Sequence, residues 1–351
     1  MCPWSEIIKH VKHDPELCDI YVATEEYSGR CDVHGRFLFK FSRRNNVERP
    51  VVSAYLVENG FLRVEWPRRY KFAVCLTHDV DFIYPPMGHI VDASKKTLRN
   101  WDISEFSRRL LCRLIRKFNP YLNFKNIMTL EEEYGACSSF FFKASRKEYG
   151  QRYDVEKIRE ELLDIIERGW EVGLHAGYYS YNDPQRLKEE KERLEKVVGR
   201  KILGVRVHYL RFKVPDTWRI LAEVGFKYDT TFGYADMPGF RNGMCHPFKP
   251  CTIDGEMIDI WEIPLTIMDT TLYGYLHIKP REAFEKMKLL AKQVEKYNGV
   301  LTILWHNNTF DELRMREWSQ LYRALLSYLK SRKAWMTCAM DIYEYWSSIY
   351  G

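Results

Sequence analysis

The sequence predicts an α/β fold built on a parallel sheet, either an open doubly wound sheet or a closed barrel, preceded by a small N-terminal α+β appendage. From about Phe72 onward, short apolar segments alternate with longer segments of helical periodicity, which is typical of a parallel sheet covered by helices. Titratable side chains directly follow several of the apolar segments. Parallel α/β folds gather their active sites at these carboxyl ends of strands. The 351 residues, 46% of them hydrophobic, can bury a large core.

The elements of the barrel, residues 69–351, follow in order along the chain. The predicted strands are FAVCLT, SSFFFKA, WEVGLHA, ILGVRVHY, KYDTTFG, DIWEIPLTI, VLTILWHN and AWMTC. Helices are predicted around 128–134, over VEKIREELLDIIERG, over PQRLKEEKERLEKVVG, from near 215, over about 281–297 and over about 312–332. Pro184 and Gly199 bound the third of these helices, at positions where Pro and Gly are typical of a helix start and end.

Two parts of the chain depart from this alternation. Residues 1–68, the predicted appendage, suggest a short helix followed by strands such as RFLFKFS and FLRVEW. A helical insertion is predicted at about 82–128, where FSRRLLCRLIRKF has apolar residues four apart on a basic helix over 106–118. One interpretation is an amphipathic helix packed on the barrel with its basic face in solvent. The alternative is a peripheral helix that contacts anionic lipid or an anionic substrate.

The charge, the cysteines and the apolar segments of the sequence limit the classes of protein to which the chain could belong. The net charge of +6, from 54 basic and 48 acidic residues, is mild and does not by itself support nucleic-acid binding. Nine scattered cysteines without a CxxC pair predict free thiols and no zinc finger. The first residues lack an apolar signal-peptide core, and no segment approaches the roughly 18 to 20 apolar residues of a membrane span. We therefore expect a soluble cytoplasmic protein.

The stretch LTHDVD places two carboxylates at the end of a buried strand. Because strand side chains alternate, Asp79 and Asp81 project to one side and His78 to the other. Neighbouring carboxylates require a cation, a shared proton or water. The further titratable residues at predicted strand ends are His175, Arg206, His208 and His306.

These residue types suit metal-assisted hydrolysis of an amide or ester. A carboxylate with neutral imidazoles binds zinc, which lowers the pKa of a bound water to roughly 7. A free carboxylate then accepts the proton of the water, and a histidine donates one to the leaving amine. Taken singly, each residue has a simpler interpretation as a cap or a structural hydrogen-bonding group, but independent structural roles would not be expected to converge on successive strand ends.

The segments LTHDVD, GLHAGYYSYND, GVRVHYLRF and LTILWHNN, in this order, resemble the motif series of the polysaccharide-deacetylase superfamily, the NodB-homology domain of carbohydrate esterase family 4. The resemblance covers about Phe72 to Gly351. It implies an α/β fold in which about seven parallel strands form a distorted (β/α) barrel, and it implies metal-dependent removal of N-acetyl groups from acetamido sugars. It also implies that Asp79 is the general base, Asp81 a metal ligand, Arg206 the partner of the base and His306 the general acid.

The second motif departs from the family pattern. The family has two metal-binding histidines four residues apart, whereas here His175 is followed by Tyr179. His208, where the third motif usually has proline, is the best substitute, so the expected metal ligands are Asp81, His175 and His208, with zinc as the expected ion. The acid that tunes the catalytic histidine is expected at Asp269, with Asp259 as the second choice.

The predicted function is thus a carbohydrate N-deacetylase. Tyr209 and Trp261 are predicted to stack on sugar faces, and Arg211 to hold a substrate anion. The substrate is expected to be an acetamido sugar or glycan precursor, nucleotide-linked or lipid-linked. Two alternatives stay open: a metal-free, catalytically impaired glycan-binding protein, and a metal-independent amidase acting on small C–N substrates, which related barrels include.

Overall fold

One sheet of parallel strands forms the centre of the molecule. A computed structural model describes residues 2–99, 101–146, 149–150 and 152–351. Within these residues the strands are β1 (Phe72–Val80), β2 (Ser139–Phe142), β3 (Glu171–Ala176), β4 (Gly204–Val207), β5 (Tyr228–Asp229), β6 (Trp261–Glu262), β7 (Leu265–Met268), β8 (Val300–Leu304) and β9 (Ala334–Thr337). All nine residues of β1 are buried, as expected for a central parallel strand covered on both faces.

The order of the strands is β6-β5-β4-β3-β2-β1-β8-β7, with β9 paired to the first half of β1. The predicted strand DIWEIPLTI is divided at Pro264, which has no N–H to donate to a neighbouring strand. Its two halves, β6 and β7, stand at opposite ends of the order, although only two residues connect them. The sheet must therefore curl until its ends meet. This confirms the predicted distorted (β/α) barrel.

Helices surround the sheet. They are α1 (Trp4–Lys12), α2 (Pro15–Tyr21), α3 (Val51–Glu58), α4 (Met87–Arg99), α5 (Ile103–Leu111), α6 (Phe124–Tyr134), α7 (Arg159–Glu167), α8 (Pro184–Val198), α9 (Asp216–Glu223), α10 (Pro280–Lys296), α11 (Glu312–Ser331) and α12 (Ala339–Tyr350). None of the helices in the described part of the chain is long and apolar enough to cross a lipid bilayer.

Residues 2–68 consist of helices, turns and irregular segments, although strands were expected in part of this region. In residues 2–68 the structure has no strand: RFLFKFS contains a 3-10 turn at Phe39–Phe41, and FLRVEW has no sheet partner. The apolar side chains of this region pack on the barrel instead, for example the ring of Trp4, 5.9 Å from that of Trp261. Since one core contains residues from both sides of position 68, the proposed domain boundary there stays a prediction.

In the region of the predicted insertion, at about 82–128, lie α4, α5 and the start of α6, and these elements differ from the expected ones. The expected helix over 106–118 is wrong in extent, because α5 ends at Leu111 and only a 3-10 turn follows, at Arg116–Phe118. The helix expected at 128–134 already begins at Phe124. The packing of α5 also differs, because its buried side chain is Arg109 rather than the expected apolar stripe.

A buried polar cluster supports the back of β1. As strand alternation predicted, His78 points away from Asp79: its Nε2 lies 2.8 Å from Glu131 Oε1 and its Nδ1 lies 2.7 Å from the carbonyl oxygen of Trp305. Glu131, on α6, also accepts hydrogen bonds from Trp170 and Tyr322. These contacts tie α6 and α11 to the strand that carries the two aspartates.

Candidate active site

Four strand ends bring the predicted titratable residues to one place. Asp79 lies near the end of β1 and Asp81 directly follows it, whereas His306 comes two residues after β8. His175 on β3 and Arg206 on β4 are paired in the sheet register. The cavity at this edge of the barrel has a volume of about 230 Å³, and the predicted residues that line it are Asp79, Asp81, His175, His208, Tyr209 and His306.

Asp81 is the centre of the cluster. Its Oδ1 lies 3.4 Å from His175 Nε2 and 3.2 Å from His208 Nε2, and its Oδ2 lies 3.8 Å from His306 Nε2. Burial alone would raise the pKa of Asp81, but the ammonium group of Lys143 and the neighbouring His208 and His175 rings hold this pKa well below its usual range. Asp81 is therefore an anion over the whole neutral pH range.

The two histidines present lone pairs to Asp81. The Nδ1–H of His175 donates to the carbonyl oxygen of Arg206 at 3.1 Å, which leaves Nε2 as the free nitrogen facing the cluster. Burial and the neighbouring Lys143 charge lower the pKa of His208 to about 3, so its ring is neutral. A neutral imidazole is the form that binds a metal ion.

Asp81, His175 and His208 fit a tetrahedral zinc ion. Their ligand atoms all lie within 4.8 Å of one another. The separations of 3.2 and 3.4 Å match the edge of about 3.3 Å that bonds of roughly 2.0–2.1 Å give in a tetrahedron. Tyr179, in contrast, is exposed and does not line the cavity.

Lys143 is a site residue that the sequence analysis missed. Its Nζ lies 2.7 Å from Asp81 Oδ1, 3.0 Å from His208 Nε2 and 2.9 Å from the carbonyl oxygen of Gly150. Gly150 has a φ of +80°, and a Cβ there would come within 2.4 Å of the His208 ring, so only glycine allows this close approach. The ammonium group neutralises Asp81 and repels any cation at the same donor atoms. Lys143 must move away before a metal ion takes all three ligands.

Asp79 and Arg206 are neighbours, but they are not directly hydrogen-bonded. Arg206 Nε lies 3.9 Å from Asp79 Oδ1, and the guanidinium donates instead to Thr230 Oγ1 and Thr77 Oγ1 at 3.0 and 2.9 Å. Asp79 Oδ2 lies 3.7 Å from His175 Nε2. Because both Asp79 and Arg206 are buried, their ion pair is little screened by water. The role of Asp79 as base stays a prediction.

His306 is held by Asp269, the first choice for the tuning acid. The Nδ1–H of His306 donates to Asp269 Oδ1 at 2.7 Å, and its backbone N–H donates to Oδ2 at 2.9 Å. Burial opposes protonation, but the charge of Asp269 raises the pKa of His306 to about 9. His306 therefore carries a proton at neutral pH. Asp259, the second choice, instead pairs with Lys249 at the surface.

The three predicted substrate-binding residues have different placements. Tyr209 lines the cavity, in a left-handed backbone conformation with a φ of +63°. Arg211 does not line it: its guanidinium lies between the rings of Tyr178 and Tyr181 and donates to two backbone carbonyls. Trp261 is a correction, because its ring is buried against Trp4, away from the cavity.

The N-terminal region contributes a further cavity residue. Arg36 pairs with Asp32 at 2.7 Å, and its Nη1 donates to the carbonyl oxygen of Tyr209 at 3.2 Å. Arg36 lines the cavity opposite the barrel strands, together with Tyr275. The turn-rich sequence around these residues gives no signal that they reach the site.

Comparisons with known proteins show a similarity of fold. No protein-family model matches the sequence, and no curated protein does. Among solved structures, the chain is similar to a putative polysaccharide deacetylase from Mycobacterium smegmatis, with a TM-score of 0.56 and 19% identity over 82% of this chain and 93% of that one. The chain has the same fold as that structure.

Two further solved structures match over most of this chain. A probable polysaccharide deacetylase from Pseudomonas aeruginosa PAO1 matches with a TM-score of 0.54 and 14% identity, over 89% of this chain and 98% of that one. The Puue allantoinase matches with a TM-score of 0.54 and 16% identity, over 89% and 97%. The resemblance drawn from the four motifs is thereby confirmed for the fold.

Proposed function

We propose that the protein is a hydrolase that removes the N-acetyl group from an acetamido sugar. The observation that carries the proposal is the grouping of His175, His208 and His306 around Asp81, with Asp79 next to His175. Hydrolysis of an amide needs a base for water, a positive centre for the carbonyl oxygen and an acid for the amine. The site has a candidate residue for each need.

The base and the acid are separate groups with opposite charge. Asp79, near Arg206, accepts the proton of the attacking water. His306, protonated because Asp269 holds its Nδ1–H, faces the site through Nε2 and donates to the leaving nitrogen. The bond to water forms and the C–N bond breaks, and the products are acetate and an amino sugar. A zinc ion held by Asp81, His175 and His208 would polarise the carbonyl and lower the pKa of the water.

The substrate follows from the size and charge of the cavity. Its volume of about 230 Å³ lies below the roughly 300–1,000 Å³ typical of pockets for drug-sized ligands and suits a single sugar unit with its acetamido group. Arg36 and Arg152 also line it and favour an anionic group beyond the sugar. A nucleotide-linked or lipid-linked sugar supplies such a phosphate.

A metal-independent amidase is the second candidate. Lys143 favours it, since an ammonium group already stands at the atoms that would hold the ion. The similarity of the fold to that of an allantoinase is consistent with a small C–N substrate. In this mechanism Lys143 would supply the positive charge at the carbonyl oxygen.

The test is acetate release from a panel of nucleotide-linked and lipid-linked acetamido sugars. Asp79→Asn and His306→Ala are each expected to lower turnover by about 10² to 10⁴-fold, because each removes a general acid or base. Asp259→Asn, which changes an exposed aspartate, is the matched control. Full activity of Asp79→Asn would refute its role as base, and activity that survives a chelator would favour the metal-independent reaction.

A further inference from the structure

The helical hairpin of α4 and α5 turns its large apolar side chains outward. Trp101, between the helices, is 87% exposed, and Ile103, Leu110 and Leu114 are 70%, 54% and 82% exposed. Ile103 and Leu110 are seven residues apart and so lie on one face of α5. A cluster of this size on a protein surface usually marks an interaction site.

Unlike an ordinary surface helix, α5 buries a charged side chain and exposes apolar ones. Its buried side chain is Arg109, which donates to Glu105 Oε1 at 2.7 Å and to Asp311 Oδ2 at 3.0 Å. An ordinary surface helix buries its apolar face and exposes its charges. Here the ion pairs of Arg109 fix the helix to the barrel, and the leucine and isoleucine side chains are left outside.

The hairpin also holds most of the net charge of the chain. Residues 87–118 contain eight Lys and Arg against three Asp and Glu, a net charge of +5 compared with +6 for all 351 residues. Arg99, Arg108, Arg113 and Lys117 are exposed among the apolar side chains. Cations around an apolar stripe complement an anionic lipid surface, which offers both phosphates and hydrocarbon. A nucleic acid would leave Trp101 and the leucines unused, and a second copy of the hairpin would bring like charges together.

The hairpin is attached at the active-site end of the barrel. Asp311, the partner of Arg109, follows His306 by five residues and caps the start of α11. Between them, Asn307 donates to the carbonyl oxygen of Phe82, and Phe82 lines the cavity. A lipid surface that meets the hairpin therefore lies on the side of the molecule where the cavity is.

We propose that the α4–α5 hairpin is a membrane-docking surface, which places Trp101, Ile103 and Leu110 among the headgroups of an anionic bilayer. The apolar side chains enter the interface, and the surrounding cations contact lipid phosphates. Combined with the proposed function, on which this last step rests, the docking surface assigns a lipid-linked acetamido sugar as the substrate class.

The test is co-sedimentation of the full chain with vesicles of phosphatidylcholine alone and of phosphatidylcholine with phosphatidylglycerol. The wild-type protein is expected to bind the mixed vesicles and to lose binding as salt is raised. Leu110→Ser/Leu114→Ser should lower the partition coefficient by at least about tenfold. Ile253→Ser/Leu289→Ser, at side chains 54% and 42% exposed away from the hairpin, should leave it unchanged.

Two results would overturn the docking surface. One is wild-type protein that stays in the supernatant with mixed vesicles. The other is a leucine variant that binds the vesicles as well as the wild type does but has lost the self-association of the wild type, measured by light scattering. That result would assign the patch to contact with a second copy of the chain. Circular dichroism of each variant checks folding. Because vesicle binding is measured without substrate, its failure leaves the proposed deacetylation untouched, and acetate release is tested separately on soluble sugars.

Discussion

Lys143 places an ammonium group at the atoms that the fold otherwise offers to a metal ion, 2.7 Å from Asp81 Oδ1 and 3.0 Å from His208 Nε2. Lys143→Met keeps most of the volume and removes the charge. We expect the affinity for zinc to rise by at least tenfold, because unit charges about 4 Å apart interact by about 4 kcal/mol at an effective dielectric constant of 20. Competition with a chromophoric chelator measures this affinity.

Two variants show whether the effect belongs to this site. Lys188→Met, at an exposed lysine of α8, should leave zinc affinity unchanged. His208→Ala in the Lys143→Met background should abolish the gain. An unaltered or lower affinity in Lys143→Met would mean that the ammonium group does not compete with the ion.

Asp269 sets the protonation of His306. Asp269→Asn keeps a hydrogen-bonding group but removes the charge that raises the pKa of His306 to about 9. Because burial lowers the pKa of His306 and only the charges of Asp81 and Asp79 would still raise it, this pKa should fall towards its ordinary value of 6.5. The alkaline limb of the activity profile should then move from near pH 9 to lower pH. The pH dependence of acetate release measures the limb.

The control for this change is Thr309→Ala. Thr309 donates to Asp269 Oδ2 at 2.6 Å, so the variant removes a hydrogen bond and leaves the carboxylate in place. Its alkaline limb should stay near that of the wild type. A limb that stays near pH 9 in Asp269→Asn would exclude Asp269 as the group that tunes the acid.

Sequence reasoning found the residues at strand ends and missed those that depend on register. Asp79, Asp81, His175, His208 and His306 follow apolar segments, so their shared edge could be predicted. Lys143 becomes their neighbour because β2 pairs with β1 in the register Val80 to Phe142, which places Lys143 beside Asp81. A single sequence does not specify that register.

At the scale of elements, the sequence pattern predicted whether most barrel segments are strands or helices. It did not predict which elements they pack against or which way their faces point. RFLFKFS has the composition of a strand, yet strand formation depends on an available sheet edge, and this segment packs on the barrel without one. Helical spacing identified the apolar stripe of 106–118 but not the direction it faces. The ion pairs of Arg109 with Glu105 and Asp311, one local and one distant in sequence, decide that direction.

At the scale of the whole molecule, Glu171 joins three elements at the amino end of the barrel. Its Oε2 accepts from Ser139 Oγ on β2 at 2.5 Å and from the backbone N–H of Met340 on α12 at 2.9 Å, and Tyr228 on β5 donates to Oε1. Burial raises the pKa of Glu171 from 4.5 to about 7, although the hydrogen bonds from Ser139 and Met340 oppose the rise. The folded protein therefore holds a proton that the unfolded chain releases at lower pH.

This proton makes the stability of the fold depend on pH. Because the folded pKa is the higher one, the stabilising contribution of protonated Glu171 is complete below pH 4.5 and is lost as the pH rises to about 7. The difference corresponds to about 3 kcal/mol. Glu171→Gln has no proton to lose, so its free energy of unfolding relative to the wild type should increase by about this amount between pH 4.5 and 8. Urea unfolding at several pH values measures the increase. Glu192→Gln, at an exposed position of α8, should show no such trend, and a pH-independent difference for Glu171→Gln would mean that Glu171 is ionised in the folded barrel.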